Sequence, residues 1–205
     1  MKTVIITMPM KMVLKKSKYP VQGNKTIEYD GEVAFGINGV LSRIIEPHEK
    51  VKLLYIVTRG GVDRGSEYTS IFRKEFDQVT EGKELDISED TIELNFDPSK
   101  DEFEKLTSRL IDAIEENTEI ISDFTFGSKP FPFVLLSAIN YTEMFKNASL
   151  LYLIYSKVEW DVENHPYNPM IYDITSLYYL QKVIGAMEGQ DPESARKMLD
   201  DFFAL

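Results

Sequence analysis

The chain has 205 residues, 43% of them hydrophobic and 28% charged, which is the make-up of a single globular domain large enough to bury its own core. It has no cysteine and two histidines, His48 and His165, so a disulfide scaffold, a thiolate metal centre and a cysteine nucleophile are excluded, and no metal or cofactor is expected. A net charge of −11 argues against duplex nucleic acid as a partner for the surface as a whole; the absence of any apolar run near ~18–20 residues argues against a membrane span, and a cytoplasmic location is expected.

In chain order, Lys2–Met8 is β-branched and reads as a buried strand. From Pro9 to Tyr29 no period is visible, and a long loop is predicted. This stretch holds most of a basic patch: residues 1–27 carry six lysines and no acid, while the remainder carries 17 basic and 34 acidic residues. Asp30 is the predicted cap of a helix running to about Ile45, closed by Pro47. Val51–Thr58 reads as a second buried strand, with Gly60-Gly61 as the turn after it. A helix is predicted over 66–79, an edge strand over 91–96, and a helix from Asp97 to about Glu116, with Asp86 to Asp90 read as a solvated acidic face. Then follow a strand over 119–124, an unusually apolar helix over 133–145, a strong strand over 149–155, a polar link over 160–168, a short strand over 170–174, and helices over 177–187 and 192–203. The last helix ends on Phe202-Phe203-Ala204-Leu205 and is predicted to fold back on the core.

Strict strand–helix alternation predicts an α/β fold: a Rossmann-like, doubly wound, mostly parallel sheet with an antiparallel edge hairpin, followed by C-terminal helices. Residues 1–188 are expected to form this ligand-binding domain and 189–205 a helical tail. In such sheets ligands bind beyond the carboxyl ends of the strands. That rule selects Met8, Pro9, Met10 and Lys11 after the first strand, Thr58, Arg59, Gly60 and Gly61 after the second, Thr125, Phe126, Gly127, Ser128 and Lys129 after the fourth, and Ser156 and Lys157 after the fifth. Gly127 permits a backbone turn closed to other residues, Ser128 and the amides opening the next helix can donate to an anion, and Lys129 adds a full charge. A phosphate or phosphodiester suits that set.

The usual nucleotide and hydrolase fingerprints are missing: there is no G-x-G-x-x-G after the first strand, no G-x-x-x-x-G-K-[ST] and no G-x-S-x-G. Arg43 and His48 match the R-x-x-x-x-H spacing of a class of helical ribonucleases. Pro47 lies inside that match, and the segment falls at a predicted helix-to-strand turn, so no catalytic residue is assigned from it.

The run Asp123-Phe-Thr125-Phe-Gly127-Ser-Lys129-Pro-Phe-Pro132 resembles a signature of the CRISPR-associated Rossmann-fold (CARF) family, in which a strand enters Asp-x-Thr-His-Gly-x-Arg-x-x-Pro and an apolar helix follows. Asp123, Thr125, Gly127 and Pro132 match; Lys129 stands where arginine is usual and Phe126 where histidine is usual. The element order over about residues 2–187 also fits. The resemblance implies a homodimeric sensor of type III CRISPR antiviral defence that binds a cyclic oligoadenylate second messenger, a tetra- or hexa-adenylate ring, across its twofold axis. It also implies an effector domain or partner, and it admits slow metal-independent cleavage of the ring. With arginine and histidine both replaced, phosphate contact at Lys129 and stacking at Phe126 are the expected substitutes, and the basic loop with Lys11 is expected to reach over the ring. A Rossmann-like enzyme acting on a small phosphorylated or nucleotide substrate is the alternative from a different class.

Overall fold

Six consecutive residues of the first strand, β1 (Lys2–Thr7), are buried, because β1 lies inside the sheet with helices on both faces and has no solvent side on which to place polar residues. The computed structural model describes residues 1–10, 14–59, 65–95, 99–160, 162 and 166–204. After β1 come β2 (Val21–Gln22), α1 (Gly36–Ile44), β3 (Lys50–Arg59), α2 (Gly65–Val79), β4 (Asp86–Asn95), α3 (Lys100–Ala113), β5 (Glu119–Asp123), α4 (Phe131–Phe145), β6 (Ser149–Trp160), β7 (Pro166–Asp173), α5 (Thr175–Ala186) and α6 (Pro192–Phe203). The strands form one sheet in the order β2-β7-β6-β5-β1-β3-β4. All neighbours are parallel except β6 and β7, which pair antiparallel. This is the predicted α/β, Rossmann-like arrangement with C-terminal helices.

One face of β1 packs with α1 and α2, where Phe72 of α2 is fully buried with edge contacts to Phe35 (5.2 Å) and Tyr55 (5.8 Å). The other face packs with α3, α4 and α5 around Leu110, Leu135 and Ile139. Each fully buried side chain of this size contributes about 1.5–3 kcal/mol relative to exposure, so the two clusters hold the sheet from both sides. No helix of the described residues is long and apolar enough to cross a membrane.

Several boundaries differ from the sequence expectation. Helix α1 starts at Gly36, not Asp30: Ala34 and Phe35 donate their N–H groups to the buried Glu75 carboxylate, which holds the preceding segment extended. Strand β4 begins at Asp86 instead of Thr91 and takes in the acidic run, whose Asp86, Glu89 and Asp90 are exposed as expected of a solvated face. Its first half shows no apolar alternation because Glu89 bonds Tyr55 Oη (3.0 Å) and Arg73 Nε (3.0 Å) where a hydrophobic residue would otherwise sit. Helix α3 is capped by Ser99, whose side chain accepts from the Glu102 N–H (3.4 Å). The predicted long loop contains β2, which pairs with β7 and covers the hairpin expected at the edge. Helix α6 packs on α5 and buries none of its residues; Phe203 is 62% exposed.

Candidate ligand-binding site

From β1 the crossovers lead through β3 to β4, and from β5 they lead the other way to β6, so the topological switch point lies between the adjacent strands β1 and β5. The two loops that open there are the ones starting at Met8 and at Phe124. A buried threonine joins them: Thr7 Oγ1 donates to the Asp123 carbonyl (3.1 Å) and accepts from the Phe126 N–H (3.3 Å). The turn is also fixed from β6. Asp123 Oδ1 accepts from the Thr125 N–H (2.8 Å) and from its hydroxyl, and Thr125 Oγ1 in turn accepts from the Ser156 N–H (2.8 Å). Three strand ends are thus tied by two threonine hydroxyls and one carboxylate.

Gly127 has φ +107°, and a Cβ there would meet only the Phe131 ring at 3.6 Å, so the conformation rather than space demands glycine. Gly127→Ala is expected to cost about 1–2 kcal/mol and to lower Tm by roughly 2–8 °C in thermal circular dichroism. An unchanged Tm would mean that the turn adopts another shape.

The amides opening α4 do not serve as donors in the way the sequence suggests. Phe131 N–H bonds the Ser128 carbonyl (2.9 Å), Pro132 has no N–H, and Phe133 N–H bonds the Pro130 carbonyl (3.1 Å). The open donors lie one step earlier. Among the described residues no acceptor takes the N–H groups of Gly127, Ser128 or Lys129. Lys129 is exposed and makes no ion pair with them.

The other expected residues divide. Met8 extends the β1–β3 ladder by donating its N–H to Ile56 O (2.9 Å), and its side chain is 1% exposed, so it supports the loop from the core instead of offering a surface. Pro9 is also buried, whereas Met10 is 39% exposed. Lys11 and the Gly60-Gly61 turn lie outside the described residues. Thr58 lines a cleft beside Gly127, while Arg59 pairs with Glu93 across β3 and β4 at 2.5 Å. The described part of the basic loop is anchored by its own contacts: Ser17 pairs with Val33, Val21 joins the sheet through β7, and Tyr19 is buried beside Asp123 and Phe126 at the switch point. Arg43 and His48 sit at the opposite, amino end of β3, where His48 Nδ1 is 3.4 Å from Glu84 and 73% exposed, far from any strand carboxyl end.

Two clefts flank the Gly127 turn, one on each face of the sheet. The cleft on the α3 and α4 side, of about 560 Å³ including its mouth, is walled by Ile56, Leu94, Phe103, Leu106 and Phe131, with Thr7, Asn95, Glu102 and Ser128 as polar groups. The cleft on the α1 side, of about 660 Å³, is bounded by Tyr19, Phe35, Gly36, Phe126 and Tyr155, with Asp123, Ser156 and Lys157 as its polar groups. Burial raises the Asp123 carboxyl to about 6, against the opposing pull of its two bonds from Thr125. A carboxyl raised in this way stabilises the fold below its unfolded value of 3.8 and loses that contribution as pH rises through about 6. Burial, with the charges of Glu75 and Asp123, pushes the Tyr19 phenol up to about 12. The strand-end rule selected Ser156 and Lys157, which line this cleft, whereas sequence reasoning selected neither Tyr19 nor Gly36 and left Asp123 out of the ligand set. For Asp123, its place at the end of β5 was the available signal.

Comparison with known protein families and with curated proteins finds no match.

Proposed function

We propose that the chain is a sensor that binds a cyclic oligoadenylate, with one ring held across the twofold axis of a homodimer. The observation that carries this reading is the set of three successive backbone N–H groups at 127–129 that find no acceptor among the described residues, next to a Lys129 that pairs with none of them, at the switch point of a protein whose net charge is −11. A concave run of N–H groups beside a cation is a site for a phosphodiester, and a cyclic oligoadenylate presents one such charge per nucleotide. The two clefts on either side of the turn offer apolar and aromatic walls for bases that flank the phosphate.

A dimer face adjoins this turn. Helix α4 begins at the end of the turn, carries no charged residue from Phe131 to Thr142, and exposes Phe133, Tyr141, Met144 and Phe145. Pairing two copies along α4 brings two Lys129 turns to one ligand and covers side chains that otherwise remain in water.

Calorimetry of the purified protein with cyclic tetra- and hexa-adenylate is expected to show saturable binding at one ring per two chains, with sedimentation showing the dimer. Absence of binding to both rings, or a monomer in the presence of a bound ring, overturns the reading. Binding of a linear mononucleotide with no affinity for either ring would point instead to an enzyme of a small phosphorylated substrate.

A further inference from the structure

Strand β4 is the outermost strand beyond β3, and no described strand covers its far side. Its parallel pairing fixes which backbone groups point there. Asp86 N–H bonds the Glu49 carbonyl (3.0 Å), so Asp86, Ser88, Asp90 and Ile92 turn their N–H and C=O groups towards β3. The alternate residues, Ile87, Glu89, Thr91 and Glu93, turn theirs outward. The second half of this outer edge is closed from within the chain: Asp90 Oδ1 accepts from the Thr91 N–H (2.8 Å), and Arg109 Nη1 of α3 donates to the Glu93 carbonyl (2.7 Å). The first half is open. No described residue bonds the outward N–H and C=O groups of Ile87 and Glu89. Such an edge is a template for one more strand.

Charge decides what can pair there. Asp86, Ser88 and Asp90 share one face of β4 and are exposed, and neither carboxylate has an ion-pair partner among the described residues. On the other face Ile87 packs against the core cluster of α1 and α2, and Glu89 is committed to Tyr55 Oη and Arg73 Nε. A second copy of this chain is the wrong occupant. Antiparallel pairing about Ser88 sets the Asp86 of each copy directly opposite the Asp90 of the other, and like charges directly opposite destabilise a sheet. Lysine or arginine at the same two places reverses the sign of both contacts.

We propose that the Asp86–Asp90 edge of β4 is a docking site for an extended basic segment of a protein partner, which adds as an antiparallel strand. Its backbone bonds the open N–H and C=O groups of Ile87 and Glu89, and its basic side chains stand opposite Asp90 and Asp86. The ladder sets the pattern that is recognised: a basic residue opposite Asp90, a second one four positions later opposite Asp86, and an apolar residue just before it, beside Ile87. The closed groups of Thr91 and Glu93 end the docked stretch at Asp90. Because β4 runs parallel to its neighbours, this stretch lies at the amino ends of the strands, away from the Gly127 turn, and docking there does not depend on the sensor reading.

The test is an amide chemical-shift titration of the intact chain with the capped peptide Ser-Lys-Thr-Thr-Val-Lys-Ser. Saturable shifts at one peptide per chain are expected, largest at Ile87 and Glu89. Replacing both peptide lysines by glutamate weakens binding roughly tenfold. The double substitution Asp86→Asn and Asp90→Asn weakens it roughly fivefold at unchanged Tm, since asparagine still accepts from the Thr91 N–H. Methylating the backbone nitrogens of the first threonine and of the valine removes the two donors aimed at β4 and abolishes binding. Ile87→Pro removes one outward donor of β4 while leaving its inward bonds to β3, and it also abolishes binding; the methylated peptide gives the same reading if this variant fails to fold. Binding that survives methylation is charge attraction alone and overturns the proposal. So do shifts centred outside β4, and so does the absence of saturable shifts at millimolar peptide. Concentration-dependent shifts of β4 in the protein alone would assign the edge to a second copy and overturn it as well.

Discussion

Lys129→Glu is expected to lower the affinity for cyclic tetra-adenylate roughly a hundredfold, about 3 kcal/mol, in a calorimetric titration at low salt. Lys129 is the full positive charge beside the three open N–H groups, and no carboxylate of the described residues competes for it. Removing the charge forfeits a charge-assisted contact of about 1.5–3 kcal/mol; reversing it adds repulsion from a phosphodiester at the same distance. In a dimer the change occurs twice per ring, so the charge reversal exceeds Lys129→Ala by more than the difference seen for a single exposed pair. Because the group is exposed, the effect shrinks as salt is raised, with the Debye length falling from about 10 Å at 0.1 M to about 3 Å at 1 M. The substitution lies outside both core clusters, so Tm is expected to stay put. Unchanged affinity would remove Lys129 from the site.

Glu75→Ala is expected to cost about 4 kcal/mol of stability and to lower Tm by roughly 8–16 °C. Glu75 is 4% exposed, and its carboxylate accepts from Ala34 N–H (2.6 Å), Phe35 N–H (3.0 Å) and Asn38 Nδ2 (3.0 Å). Alanine leaves two backbone donors unpaired in the space between α1 and α2 and takes one of two acceptors from Asn38 Nδ2, which keeps the Phe72 carbonyl (3.3 Å); each unpaired buried donor costs about 1–3 kcal/mol. Glu75→Gln keeps one acceptor oxygen and turns an NH2 group towards a donor, so an intermediate loss is expected. Chemical denaturation measures both variants, and a loss below about 1 kcal/mol for alanine would mean that water replaces the carboxylate. The same contact fixes Phe35 and Gly36 at the wall of the α1-side cleft, so Glu75→Ala also weakens ligands held there.

Glu75 illustrates why part of this structure could not be read from the chain. In sequence it stands in Arg73-Lys-Glu75, a charged stretch that resembles the wet face of an amphipathic helix. Its partners lie 37 to 41 residues away, and no local period reports them. The late start of α1 has the same origin, since Asp30 has the chemistry of a cap and Glu75 displaces it. Strand β4 was half legible: Ile92 and Leu94 alternate with polar residues, whereas the first half replaces apolar contacts with the Glu89, Tyr55 and Arg73 cluster.

The candidate site divides along the same line. Gly127 and Lys129 were legible because a glycine and a cation after a buried strand are local signals, and the fold rule places them at a strand end. Met8 was misjudged as ligand surface because periodicity cannot say whether the first residue past a central strand turns outward; here it continues the ladder with Ile56 and stays inside. The helix amides were misjudged for a related reason, as the turn uses two of them itself and proline removes another.

By itself the sequence determined the order of elements, apart from the two-residue strand β2, and the doubly wound sheet, because apolar runs and alternation record burial one residue at a time, and chirality leaves few ways to connect them. Only the tertiary structure decided which polar groups are spent and which stay open: that Thr7 and Thr125 close their own turn, that the N–H groups of 127–129 find no acceptor among the described residues, and that Asp123 and Ser156 line one cleft. Hydrogen-bond partners are chosen by proximity in space, and residues 123 and 156 become neighbours only once β5 and β6 pair.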